Sequence, residues 1–348
     1  MRFFPYPCLV ADVGGTNARF ASVESRVSPL SPAIRLQTGL HEEFAETVEV
    51  AIAAGGFARP RSLLLAAAGI IEGQSVTLTN ARTLKGLLCL DGPHLAKRLG
   101  LEQGLLLNDF EALSLSLPYL PADGLQSLGG GQAITDAPRI VIGPGTGLGV
   151  GALVPQGERF FALASEGGHV GIGPVTPADF ALWPFLGKNQ SGGDRLSGDD
   201  ILSGRGLTRL YRGFGQLAAA SGSTVPDHRL DDNPEAISAR AMARTDPLAI
   251  RSVDCFLSLL GRLAGDMALV FGARGGVYIG GGIAPGFATD LITAAFREPF
   301  IAKDSHRDYL SAIPVSLIIA PYAALVGLAE LARNPDRFIL DFSSRCWL

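Results

Sequence analysis

The chain has 348 residues, a formal net charge of −4, 47% apolar residues and 18% charged residues. That composition supplies a large core and excludes a disordered chain, and the acidic balance excludes a nucleic-acid surface built on bulk positive charge. At about 150 residues per domain, the length predicts two domains.

The cysteines Cys8, Cys89, Cys255 and Cys346 stand far apart with no C-x-x-C. Neither a disulfide framework nor a cysteine metal site is expected, and reduced thiols in the cytoplasm are. The start of the chain shows no long apolar stretch with a small-residue cleavage site, so no signal peptide is expected.

The first predicted element is a hairpin, strands 9–13 and 18–23, around Asp12-Val13-Gly14-Gly15-Thr16-Asn17. Glycines let backbone approach a ligand closely, and successive N–H groups make a cradle for anionic oxygens. Asp12 at its head would repel a phosphate unless a cation lies between them, and Mg²⁺ favours such carboxylate, water and phosphate oxygens. The plainer alternative for Asp12 is a turn cap.

Helical apolar spacing follows at 42–54, then a buried strand at 61–68, with 75–79 continuing the same sheet. Asp91-Gly92-Pro93 opens a helix at 90–99. A short strand, 105–107, runs into Asn108-Asp109, ahead of a helix beginning within 112–117. Polar groups straight after an apolar strand sit where α/β sheets gather their chemistry. Asp109 there can accept the proton of an attacking hydroxyl and Asn108 can orient it. As an alternative, the two form an N-cap.

Residues 121–138 read as a loop or crossover. A second hairpin, around Gly143-Pro144-Gly145-Thr146-Gly147-Leu148-Gly149, repeats the turn of the first without its acid. Two such turns suit two half-molecules gripping one polyphosphate. No lysine follows in P-loop register, and the second turn leads into another strand rather than the helix of a dinucleotide fingerprint. Glu166-Gly167-Gly168-His169 sets a carboxylate and an imidazole either side of two glycines, which suits vicinal hydroxyls.

Residues 188–200 read as a mobile polar surface loop and 248–271 as a long amphipathic helix. A strand at 276–279 ends in Gly280-Gly281-Gly282, where an adenine-ribose could lie against backbone. The apolar run 315–332 is divided by Pro321 into a strand, 315–319, and a helix, 322–332, rather than a membrane span. Alternating strands and helices predict an α/β protein of two related halves.

Taken in order, the segments 11–19, 107–112, 143–149, 166–169 and 202–207 resemble the bacterial glucokinase family of the hexokinase-like and actin-like ATPases, over about 9–333. The resemblance implies a two-domain actin-like ATPase (ribonuclease H-like) fold, each domain a mixed sheet flanked by helices. The small domain would be 1–110, completed by a C-terminal helix at about 320–334, and the large domain 111–319. It implies ATP with Mg²⁺, and transfer to D-glucose with Asp109 as general base. Asn108, Asp109, Glu166, His169 and Asp199 would hold the sugar. Gly14, Gly15, Thr16, Asn17, Gly145, Thr146, Gly147, Gly281 and Gly282 would hold the nucleotide, with Asp12 reaching Mg²⁺ through water.

Glucose and ATP are thus the expected partners, with neither nucleic acid nor membrane, and a homodimer is left open. The chain departs from the family pattern at Asp199, where glutamate is usual, at Arg205, where proline is usual, and after Asn80, where a tryptophan is often found. Asp199 is expected to keep its sugar contact and Asp200 to lie in solvent. The alternatives are a kinase of fructose or mannose, and a non-catalytic sugar-sensing regulator, against which the presence of Asp109 argues.

Overall fold

The structure is a computed structural model and describes residues 3–83, 86–189, 191–222, 232–287 and 289–347. Two compact units divide the chain: 1–125 with 151–164 and 320–348, and 126–150 with 165–319. The first unit thus takes in 111–125, 151–164 and the residues after 334 as well.

In the first unit, Cys8–Val13, Ser62–Ala67 and Gln103–Asn108 run parallel and adjacent. All six residues of Ser62–Ala67 are buried, as a strand covered on both faces requires. Asn17–Val23 and Ile34–Gln37 extend the sheet antiparallel on one side, and Cys346–Trp347 closes the other. Ser75–Thr83 does not continue this sheet, contrary to expectation. It pairs with Ile71–Glu72 and Gly86–Asp91 in a separate three-stranded sheet. Alternation of burial along Gly86–Asp91 shows one face of that small sheet turned to solvent, which its sequence did not reveal.

Helices cover both faces of the main sheet. Phe44–Gly55 and Gly92–Leu99 pack on one face with Phe20, Leu63, Leu65 and Trp347. Ala323–Arg333 packs on the other with Val10, Leu64 and Leu107. Gly327 brings this last helix against the Ala112 carbonyl, closely enough that a Cβ would overlap it. Ala323–Arg333 therefore seats Asp109–Ser116, the helix that Asp109 begins.

In the second unit, Arg139–Pro144, Gly276–Ile279 and Val315–Ile318 again run parallel and adjacent. In each unit a glycine-rich turn follows the first of three parallel strands. The 25-residue helix Pro247–Phe271 ends at Gly272, whose φ of 59° is left-handed. It packs on Thr289–Ile301 through Gly261 and Gly265, which lie against the Phe296 and Phe300 carbonyls. The apolar run divides as expected, into Val315–Ile318 and Ala323–Arg333. Among the described residues no helix is long and apolar enough to cross a membrane.

Candidate active site

Asp12 and Arg19 face each other across the first hairpin, and Arg19 Nη1 donates to Asp12 Oδ2 at 2.9 Å. Burial pushes the Asp12 carboxyl up, and Arg19 opposes that shift. The sequence reading did not pair them, although residues 12 and 19 are equidistant from a turn centred between 15 and 16. Thr38, which carried no sequence signal, pins the turn: its N–H donates to the Thr16 carbonyl and its hydroxyl to the Gly14 carbonyl, both at 2.9 Å. Asn17 Oδ1 accepts from Arg35 Nε at 2.9 Å. A Cβ on Gly14 would meet only the Asn17 carbonyl, at 3.5 Å.

Asn108 ends its strand and caps the helix Asp109–Ser116. Its Oδ1 accepts the N–H groups of Phe110 at 2.9 Å and Glu111 at 3.2 Å, and its Nδ2 donates to the Gly69 carbonyl at 3.3 Å. Glu111 returns the bond, accepting Asn108 N–H at 3.4 Å and completing a capping box. The same Glu111 oxygen accepts Arg345 Nη1 at 2.6 Å. Burial pushes Glu111 up, against the pull of Arg345. The cap alternative therefore describes Asn108 well. Asp109, the first helical residue, is half-buried and accepts Phe110 N–H at 3.0 Å. The sequence reading missed Glu111 as a cap, although Asn-x-x-Glu is itself a cap pattern, and missed Arg345 altogether.

In the second unit two of the predicted nucleotide elements come together. A Cβ on Gly145 would lie 3.9 Å from Gly282 N, so the two glycine-rich turns adjoin. Gly281 has φ 79° and sits against the Pro144 carbonyl, so packing and backbone conformation both require glycine there. Gly282 has nothing within 4 Å of the position a Cβ would take. Gly204 N, opening the helix Gly204–Ala220, donates to the Gly145 carbonyl at 2.9 Å.

Glu166 and His169 bracket one turn of 3₁₀ helix, both exposed, with His169 Nε2 3.8 Å from Glu166 Oε2. Gly168 lies against the Leu148 carbonyl so closely that any side chain would collide. Close packing of the glycines thus leaves the acid and the imidazole side by side and facing outward.

Residues 198–200 are not part of a surface loop. They lie in the short helix Gly198–Ile201, with Asp199 and Asp200 both buried. Asp199 Oδ1 accepts Leu148 N–H at 2.7 Å, and its Oδ2 accepts Arg205 Nη2 at 3.0 Å. The two positions named above as departures, 199 and 205, are therefore bonded to each other.

Asp200 is not in solvent: it is 8% exposed and accepts the N–H of Ser197 at 3.0 Å and its hydroxyl at 2.7 Å. Burial alone would raise its pKa, but these bonds outweigh burial and hold the carboxyl below the usual range. Its stabilising contribution is complete above the ordinary carboxylate pKa and is lost as pH falls through the lowered value. Asp200→Ala is therefore expected to cost about 1 kcal/mol, as removal of a helix cap does, rather than nothing. A urea midpoint equal to wild type would return Asp200 to the silent role first expected.

The glucokinase family model matches residues 9–335. The glucokinase of Sinorhizobium fredii is 42% identical over 348 aligned positions, covering 99% of this chain and 97% of that one. The crystal structure of a glucokinase from an Antarctic psychrotroph superposes with a TM-score of 0.77 at 29% identity, covering 94% of this chain and 98% of that one. A ROK family glucokinase from Streptomyces griseus, solved in complex with glucose and AMPPNP, gives a TM-score of 0.62 at 22% identity, over 94% of this chain and 99% of that one. At that identity the likeness speaks for the fold alone. The expected fold class, α/β with an actin-like ATPase fold, is the one these structures share. With the match running from the first glycine-rich turn past the last helix of the parallel-sheet cores, the chain belongs to the glucokinase family.

Proposed function

We propose that this protein transfers the γ-phosphoryl group of ATP to the 6-hydroxyl of D-glucose. The observation that carries the reading is the open space at one glycine in each of the three glycine-rich turns. At Gly14, Gly145 and Gly282 a Cβ would meet nothing nearer than 3.5 Å, and none of the three has positive φ. The protein's own packing does not demand glycine there, and a ligand lying on the backbone would.

In this reading the turns 14–17 and 145–147 hold phosphate oxygens by their N–H groups, and Gly281-Gly282 lies under the nucleoside. Glu166, His169 and Asn108 hold sugar hydroxyls. Asp109 takes the 6-hydroxyl proton as the new O–P bond forms and the bond from the γ-phosphorus to the leaving ADP oxygen breaks. The proton then passes to solvent. Phosphoryl transfer asks chiefly for positioning and charge neutralisation, and the N–H groups of these turns would contribute to both.

Among the described residues no group of three or more His, Cys, Asp or Glu could hold a metal. A divalent ion here would therefore need the nucleotide's own oxygens. The Asp12 carboxylate beside the first turn fits such a shared ion, held through water, and Mg²⁺ would supply neutralisation of phosphate charge.

A coupled assay with purified protein, ATP, Mg²⁺ and a panel of hexoses tests the proposal. Glucose is expected to give the highest kcat/KM. Higher kcat/KM for fructose or mannose would move the assignment to that hexose, and ATP hydrolysis independent of any sugar would overturn it.

A further inference from the structure

We infer that Asp199 and Arg205 act as a positioning pair for the phosphate-holding turn 145–148, and set nucleotide affinity rather than sugar affinity. The inference rests on the reading of that turn given above. Its basis is the way the turn is held at both ends. Gly145 N donates to the Gly147 carbonyl at 2.7 Å, closing the turn on itself. At one end the Gly145 carbonyl accepts Gly204 N at 2.9 Å, from the start of the helix Gly204–Ala220. At the other end the Leu148 N–H is taken by Asp199 Oδ1 at 2.7 Å.

Arg205, the second residue of that helix, donates to the other carboxylate oxygen at 3.0 Å. Helix, carboxylate and turn thus form one closed set of bonds. The fit is tight: a Cβ on Gly147 would stand 2.6 Å from Asp199 Oδ1, too close for both to keep their places. Both oxygens of Asp199 point into this set, and the residue is only 7% exposed.

The electrostatics explain why the pair comes together. A carboxylate anchoring an anion cradle repels the anion it prepares for, unless a cation neutralises it. The Arg205 guanidinium does so at contact distance. Each member then has a different expected effect. Asp199→Ala releases Leu148 N–H and loosens the turn. Arg205→Ala keeps the anchor but leaves its charge bare beside the phosphates. Removing both loses the anchor without exposing a charge, so the double variant is expected to be less impaired than the product of the single effects.

The test is a two-substrate kinetic analysis of D199A, D199N, R205A and D199A/R205A, with ADP affinity measured by calorimetry. A hydrogen bond to a charged group corresponds to roughly 10–150-fold, and D199A is expected to raise the ATP KM and the ADP Kd by about 10-fold, at the low end of that range. The glucose KM should stay within about three-fold, and D199N, which keeps an acceptor for Leu148 N–H, should recover part of the loss. A D199A protein that binds ADP like wild type, with a glucose KM raised 10-fold or more, overturns the pair and makes Asp199 a sugar contact. Wild-type protein that fails to bind ADP overturns the phosphate-turn reading itself. D199N keeps the size of the side chain, so if D199A does not fold it decides the question alone: an ADP Kd above wild type with an unchanged glucose KM supports the pair, and a wild-type ADP Kd with a raised glucose KM overturns it.

Discussion

Asp109→Asn is expected to lower kcat by roughly 10²–10⁴-fold, the contribution of a positioned general base, while glucose still binds. The substitution nearly preserves shape. Asn retains an oxygen for the Phe110 N–H that Asp109 Oδ1 accepts at 3.0 Å. The helix keeps its cap, because Asn108, and not Asp109, is the N-cap residue. What is lost is the capacity to take a proton. Glucose affinity, measured by calorimetry without nucleotide, should therefore change little while kcat collapses. A kcat within a few-fold of wild type would reduce Asp109 to a structural residue at a helix start, and the base would have to be sought elsewhere.

Arg345→Ala is expected to destabilise the protein by about 3 kcal/mol, the lower end for removing one partner of a buried ion pair. Glu111 is 2% exposed, and its Oε2 accepts both Arg345 Nη1 at 2.6 Å and Asn108 N–H at 3.4 Å. Without Arg345 the carboxyl keeps its desolvation but loses its cation, so its pKa is pushed further up and the protonated form gains. A protonated Glu111 caps Asn108 less well, and Asn108 carries the start of the helix that places Asp109. Loss of stability is thus expected to be accompanied by a lower kcat. Urea unfolding gives the first quantity and the coupled assay the second. The charge-free double variant, Glu111→Gln with Arg345→Met, should regain most of the stability, since it leaves no unpaired buried charge. A single Arg345→Ala whose midpoint shifts by less than the error of the measurement would show that Glu111 finds its compensation elsewhere.

The elements legible in the sequence are those governed by nearby residues. The first hairpin follows from alternation about a short turn. The helix at Gly92–Leu99 announces itself through Asp91, whose side chain accepts His94 N–H at 2.7 Å, and Pro93. The glycine pair 167–168 between an acid and a histidine is as local. In each case a few adjacent residues hold both the geometry and its cause. The separate three-stranded sheet at 71–91 was misread because alternation of side chains tells that a strand has two faces, not which sheet it joins.

The amino-acid sequence by itself determined the two glycine-rich hairpin turns, the division of the apolar run at Pro321, and the residues offered for phosphate, proton and sugar. These depend on backbone preference and side-chain chemistry within a short stretch. Only the tertiary structure decided what holds those residues. Asp199 meets the Leu148 N–H across 51 positions, and Arg345 meets Glu111 across 234. It turned Asp200 from a solvent residue into a buried cap and made Arg205 the counter-charge of Asp199. A buried carboxylate needs a donor or a cation but carries no local mark of where it will find one. That partner is chosen by which strands become neighbours, so the framework around the candidate site came into view only with the packing of each unit.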